Sequence, residues 1–105
     1  MSARGSFRYL SGADVDALGF TAQGVADTVQ SAFRALGTGG ADSIPKTGFR
    51  ISPSNFFHAM PARYDAAGTV GIKWIGTADN AVSGLPHISS MIVLSDVRTA
   101  VILAV

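Results

Sequence analysis

The 105-residue sequence contains no cysteine and no glutamate. The first absence removes any disulfide framework and any thiolate metal site. The second leaves aspartate as the sole acidic side chain. Imidazole is scarce as well, with only His58 and His87, so no zinc centre or other metal site is expected. No close aspartate pair suggests a glycosidase-type site. A G-x-S-x-G nucleophile elbow is missing, as are a Walker loop and a G-x-G-x-x-G run after a strand. Gly37-Thr38-Gly39-Gly40 is glycine-rich, but it follows a helical pattern instead of opening one, which is the wrong end for phosphate. Long apolar runs are missing too: no stretch approaches the roughly 18–20 residues of a membrane span. Met1 to Leu10 carries Arg4 and Arg8 with no apolar run behind them, unlike a signal peptide. A cytoplasmic protein without a membrane partner is the expectation.

Charge is thin. Charged residues make up 14% of the chain, against about 25% in ordinary domains. The net charge is +1, and the arginines are scattered, whereas a nucleic-acid partner would call for a clustered stripe. What the sequence does have is apolar mass, 48% of residues. A chain this short makes one small domain that buries only about 60–70% of its unfolded surface. So much apolar material with so few charges predicts that part of the surface meets another subunit or domain.

Periodicity organises the chain. Phe7 to Leu10 suits a short first strand. Ser11 with Asp14 forms a capping-box signal, and a brief helix through Val15 and Leu18 should stop at Gly19. Thr21 caps a second helix, where Val25, Val29, Phe33 and Leu36 recur at helical spacing; the glycines from Gly37 should end it. The pattern then changes to strands: Thr47 to Ser52, Asn55 to Tyr64, Val70 to Ile75, Ile88 to Leu94, and an apolar close from Ala100 to Val105. Pro61 cannot donate to a ladder, so an edge or a bend is expected there. Asp65 to Gly68, Thr77 to Pro86 and Ser95 to Thr99 read as turns or loops. Helices first and strands after predict an α+β fold, with amino-terminal helices packed on a mixed, largely antiparallel sheet. The final apolar run stops in mid-strand, which fits a truncated domain better than a finished one.

Lys73 interrupts the apolar strand Val70-Gly-Ile-Lys-Trp-Ile75. It shares a face with Gly71 and Ile75, and the small glycine leaves room for a ligand. A half-buried ammonium there can grip a carboxylate or exchange a proton; an edge lysine that blocks sheet pairing has the same pattern. Lys46 opens a strand and reads alone as a surface lysine. Met60 suits core filling or a pocket wall. His58 shares a face with Phe56 and Met60, as an edge histidine or a site residue. His87 closes a loop at a strand opening, where sites often border.

Taken in order, Pro45-Lys46-Thr47, His58-Ala-Met60-Pro61-Ala62, Gly71-Ile-Lys73-Trp74, Gly84-Leu85-Pro86-His87 and Met91-Ile-Val-Leu94-Ser95-Asp96 make the chain similar to the ornithine cyclodeaminase/mu-crystallin family. The opening Tyr9-Leu10-Ser11 and Asp14-Val15 fits too. The resemblance implies an NAD- or NADP-dependent parent, an oxidoreductase or lyase acting on a small amino or imino acid by deamination, cyclisation or imine reduction. It implies that residues 1–105 are an incomplete substrate-binding and homodimer-forming domain, that a separate Rossmann domain is absent from this chain, and that the chain alone neither binds the dinucleotide tightly nor turns over. It further implies that Lys73 contacts substrate and takes part in catalysis, that Lys46 replaces the usual arginine at the substrate carboxylate, that Met60 and His58 face the pocket, and that His87 lies near the cofactor. The family's glycine after the hairpin threonine is here Ala100. The alternative is a non-catalytic ligand-binding or dimerisation module of mu-crystallin type.

Overall fold

The computed structural model describes residues 6–105; the Arg4 end of the amino-terminal segment lies outside them. Helix α1 spans Gly12–Asp16. Its start is the expected capping box: Ser11 Oγ accepts from the Asp14 N–H at 3.1 Å, and the Asp14 carboxylate accepts from the Ser11 N–H at 2.9 Å. Two donors that the helix itself would leave orphaned are thereby satisfied. Helix α2 spans Ala22–Thr38, capped by Thr21 Oγ1, which accepts from the Gly24 N–H at 3.0 Å. It runs past the expected stop. Gly37 and Thr38 remain helical, and Gly39, with φ 85°, supplies the left-handed cap.

Six strands follow: β1 Ala41–Ser43, β2 Thr47–Ser52, β3 Asn55–Tyr64, β4 Thr69–Thr77, β5 Ile88–Asp96 and β6 Ile102–Ala104. They form one sheet in the order β1-β3-β4-β5-β6, with β2 pairing the same side of β3 as β1, and every strand pair is antiparallel. The mixed character expected from sequence reduces to one parallel bridge, Arg8 to Ala104. Phe7 to Leu10 is thus not a regular strand, yet it covers the β6 edge: the Leu10 N–H donates to Val105 O at 2.8 Å. The three-residue β1 was not foreseen.

Pro61 corrects another expectation. It lies within β3, a central strand, at neither an edge nor a bend. Its carbonyl accepts from the Ile44 N–H at 3.1 Å, so its imide nitrogen also faces the β1–β2 side. There the register slips by one residue, from Ser43↔Ala62 to Thr47↔Ala59. The missing donor falls at the break between two short strands, where no ladder partner waits for it.

Opposed residues in the antiparallel register share a face. One face carries Phe56, His58, Met60 and Ala62 of β3, with Gly71, Lys73 and Ile75 of β4 and Ser90, Ile92 and Leu94 of β5. Both helices lie on this side. Gly12 and Val15 of α1 join Ile92 and Leu94 around a cleft of about 450 Å³, and Ala32 and Leu36 of α2 join Ala62, Gly71 and Leu94 around one of about 260 Å³. The opposite face carries Phe57 and Trp74, stacked at 5.8 Å between ring centroids. No hydrophobic side chain among the described residues is fully buried. The apolar stripe of α2 is open, with Val25 50% and Phe33 68% exposed.

Candidate functional site

Lys73 lies in β4, directly opposite Met60 of β3 on one side and Ile92 of β5 on the other. Lys46 directly precedes β2, whose first paired residue, Thr47, lies opposite Ala59. Met60, Lys73 and Ile92 therefore fall in one row across the face that bears the helices. Lys73 is half-buried, Met60 is 40% exposed, and Lys46 is exposed. Strand alternation explains the row: in an antiparallel ladder, side chains opposite one another point the same way. An ammonium beside a thioether on one face can bind a small carboxylate as a point charge.

The space that Gly71 was expected to leave for a ligand is occupied. A Cβ built there would meet Leu94 Cδ2 at 2.8 Å and Val93 O at 3.1 Å. The glycine serves the packing of β4 on β5.

His58 opposes Ile75 and is the diagonal neighbour of Lys73, at the ~7–8 Å typical of such pairs. Its ring packs on Phe56, with centroids 4.9 Å apart. Arg50 of β2, opposite Phe56, places its guanidinium 5.4 Å from the Phe56 centroid, a cation–π distance. Arg50 Nη1 also donates to Pro53 O at 3.1 Å, which fixes the head group. Sequence reading passed over Arg50. The signal was present: the short Pro53-Ser54 turn sets β2 and β3 as a hairpin, which brings Arg50 opposite Phe56.

His87 stands apart from this row. It ends the loop between β4 and β5 and lines a small cavity with Phe57, Gly76, Thr77 and Asn80. Its Nδ1 lies 3.3 Å from the Asn80 N–H and 3.3 Å from Ala78 O. Asn80 Nδ2 donates to Pro86 O at 2.7 Å, and the Ala78 N–H donates to His87 O at 2.9 Å. His87 and Asn80 thus brace the loop.

The described residues do not fit a dinucleotide. Its usual cradle is a glycine-rich turn from a strand into a helix N-terminus, inside a parallel βαβ unit. Here every strand pair is antiparallel, and Gly39 and Gly40 follow the C-terminus of α2. No group of three or more His, Asp or Glu suited to a metal forms among the described residues, and none of their helices is long and apolar enough to cross a membrane.

Fold and site together define a class: an α+β domain on one open antiparallel sheet, with two helices and Lys73 on the same side. The chain belongs to the ornithine cyclodeaminase/mu-crystallin family, whose profile matches residues 8–105. It is 31% identical over 93 residues to the nodulation efficiency protein NfeD of Rhizobium meliloti, covering 88% of this chain and 29% of that protein. An archaeal alanine dehydrogenase dimer with bound NAD superposes with a TM-score of 0.81 at 26% identity, over 93% of this chain and 30% of that one. The Δ1-pyrroline-2-carboxylate reductase of Thermococcus litoralis, in complex with NADH and L-proline, gives a TM-score of 0.82 at 25% identity, over 93% and 31%. The chain therefore spans less than a third of the length of these relatives.

Proposed function

We propose that residues 1–105 form the substrate-binding and dimer-forming domain of a cytoplasmic NAD(P)-dependent enzyme acting on a small amino or imino acid. The single observation that carries this reading is half-buried Lys73 directly opposite Met60 on the helix-bearing sheet face, in a chain of this family. The two solved relatives are named for alanine and for a proline-related imino acid, which supports a substrate of that size.

In this reading Lys46 holds the substrate carboxylate as a point charge. Lys73 contacts the reacting end and holds or delivers a proton at Nζ. Met60 forms the apolar floor between the two. His58 borders the substrate side chain, and the loop braced by His87 lies toward the cofactor. The nicotinamide, held by residues outside the described ones, would supply hydride chemistry; no dinucleotide binding is assigned to residues 6–105. The test is Lys73→Ala in the complete protein. Turnover of amino or imino acids, followed by nicotinamide absorbance, should fall by roughly 10²–10⁴. Near-normal kinetics would remove Lys73 from the site.

A further inference from the structure

We infer that His87 is a pH-sensitive latch on the loop between β4 and β5: the neutral imidazole holds the loop at Asn80, and protonation releases it. The base of the loop continues the ladder. Thr77 pairs with Ile88, and one step further the Ala78 N–H donates to His87 O at 2.9 Å. Beyond that step the loop turns on Asn80. The Asn80 carbonyl accepts from the Gly84 N–H at 3.2 Å and from Ser83 Oγ at 3.2 Å, and its Nδ2 donates to Pro86 O at 2.7 Å. Its own N–H donates to His87 Nδ1 at 3.3 Å. Asn80 thus gathers the far residues of the loop, and the imidazole ties the Asn80 backbone to the residue that leads into β5.

That tie depends on the charge of the ring. Nδ1 lies 3.3 Å from the Asn80 N–H and 3.3 Å from Ala78 O, so a donor and an acceptor meet at one atom. A neutral ring with its proton on Nε2 leaves the Nδ1 lone pair for Asn80. The imidazolium carries an N–H at both nitrogens. Its Nδ1 can then only donate, to Ala78 O, and the Asn80 N–H faces another N–H. The Asn80 donor loses its acceptor, and the turn that Asn80 organises loosens. Phe57 of β3, Gly76 and Thr77 of β4 and Ser89 of β5 line the cavity with the ring, and none of these side chains titrates in this range. Asp79 is the one charged residue between Thr77 and His87, and its Oδ1 accepts from the Ala81 N–H at 3.3 Å. An imidazole is the side chain whose ordinary charge change falls between about pH 5 and pH 8, so the latch works across that span. The loop it frees carries Val82, fully exposed at present, and Leu85.

The experiment follows the backbone amides and histidine rings of the isotope-labelled complete protein by NMR between about pH 8 and pH 5. The Asn80 amide signal should titrate in step with the His87 ring. Its protection from hydrogen exchange, corrected for the intrinsic effect of pH, should fall by roughly tenfold at the acid end. His87→Asn places an amide oxygen, an acceptor at every pH, where Nδ1 can be reached. In that variant the Asn80 signal should not titrate, and its protection should hold. The readout needs no turnover, so an inactive protein would leave this inference standing while sinking the enzymatic reading. Three results would overturn the latch: Asn80 protection unchanged across the range in the wild type, an Asn80 signal that follows the His58 ring instead, or an equal loss of protection in His87→Asn.

Discussion

Ala100 is the one non-glycine residue with positive φ among the described residues, at 61°. It closes the turn between β5 and β6, where its N–H donates to Asp96 O at 2.9 Å. An L-residue with a Cβ is strained there by roughly 1–2 kcal/mol. Ala100→Gly in the complete protein should therefore raise stability by about 1 kcal/mol, read as a higher urea midpoint at unchanged slope. The same turn is held by Asp96, whose carboxyl sits below its ordinary range because the Thr99 and then the Arg98 backbone N–H groups donate to it. Asp14 is lowered likewise by its bonds from Ser11. A depressed folded pKa means that this stabilisation is whole above the ordinary value of about 3.9 and is lost as pH falls through the lower folded value. Urea unfolding between about pH 5 and pH 2 should show a weaker pH dependence for Asp96→Asn than for the wild type. Equal dependence would remove Asp96 as the source.

At the scale of elements, the β2–β3 hairpin decides where Arg50 lies. Gly48 lets β2 lie against β3: a Cβ there would meet Phe57 O at 1.7 Å and His58 Cα at 3.0 Å. No rotation of a side chain relieves a clash with backbone, so Gly48→Ala must displace β2 and with it Arg50. The complete protein carrying it should lose at least about 1–3 kcal/mol, as overpacked sites do, read by urea unfolding. Wild-type stability would show that the hairpin tolerates the Cβ. Helix α2 depends less on its neighbours. Removing its cap with Thr21→Ala should cost about 1 kcal/mol, measurable by thermal denaturation.

At the scale of the whole chain, the described residues form a sheet with two helices beside it and no closed core among them. Its accessible surface is 7987 Å², against about 5,500 Å² for a folded monomer of this size. Its radius of gyration is 16.1 Å, where a compact domain of this length would have about 13 Å. Phe49 is 70% exposed and Ile51 65%, on a hairpin strand with a free edge. A chain so built gains little from burial when alone. Residues 6–105 produced by themselves should associate at micromolar concentration in sedimentation and bind a hydrophobic dye. A monomer with a sharp two-state melt would contradict that. The low charge and high apolar content predict a surface that another subunit or domain covers, and the exposed α2 stripe and β2 strand locate the open apolar part.

Local signals settled the elements. Ser11 with Asp14, Thr21, the period of Val25 to Leu36 and the alternation through Lys73 depend on neighbours within a few residues, so the two helices, the four long strands and the α+β class were legible in the chain. The edges were less so: β1 is too short to show a period, and α2 outran Gly37 because a single glycine costs a helix only about 1 kcal/mol. Register is a different kind of quantity. Which residue faces which across strands is set by long-range pairing, and a slip of one residue turns every side chain to the other face. Only the folded sheet therefore put Met60 beside Lys73, stacked Arg50 on Phe56, filled the space at Gly71 with Leu94, and turned the nitrogen of Pro61 to the gap between β1 and β2.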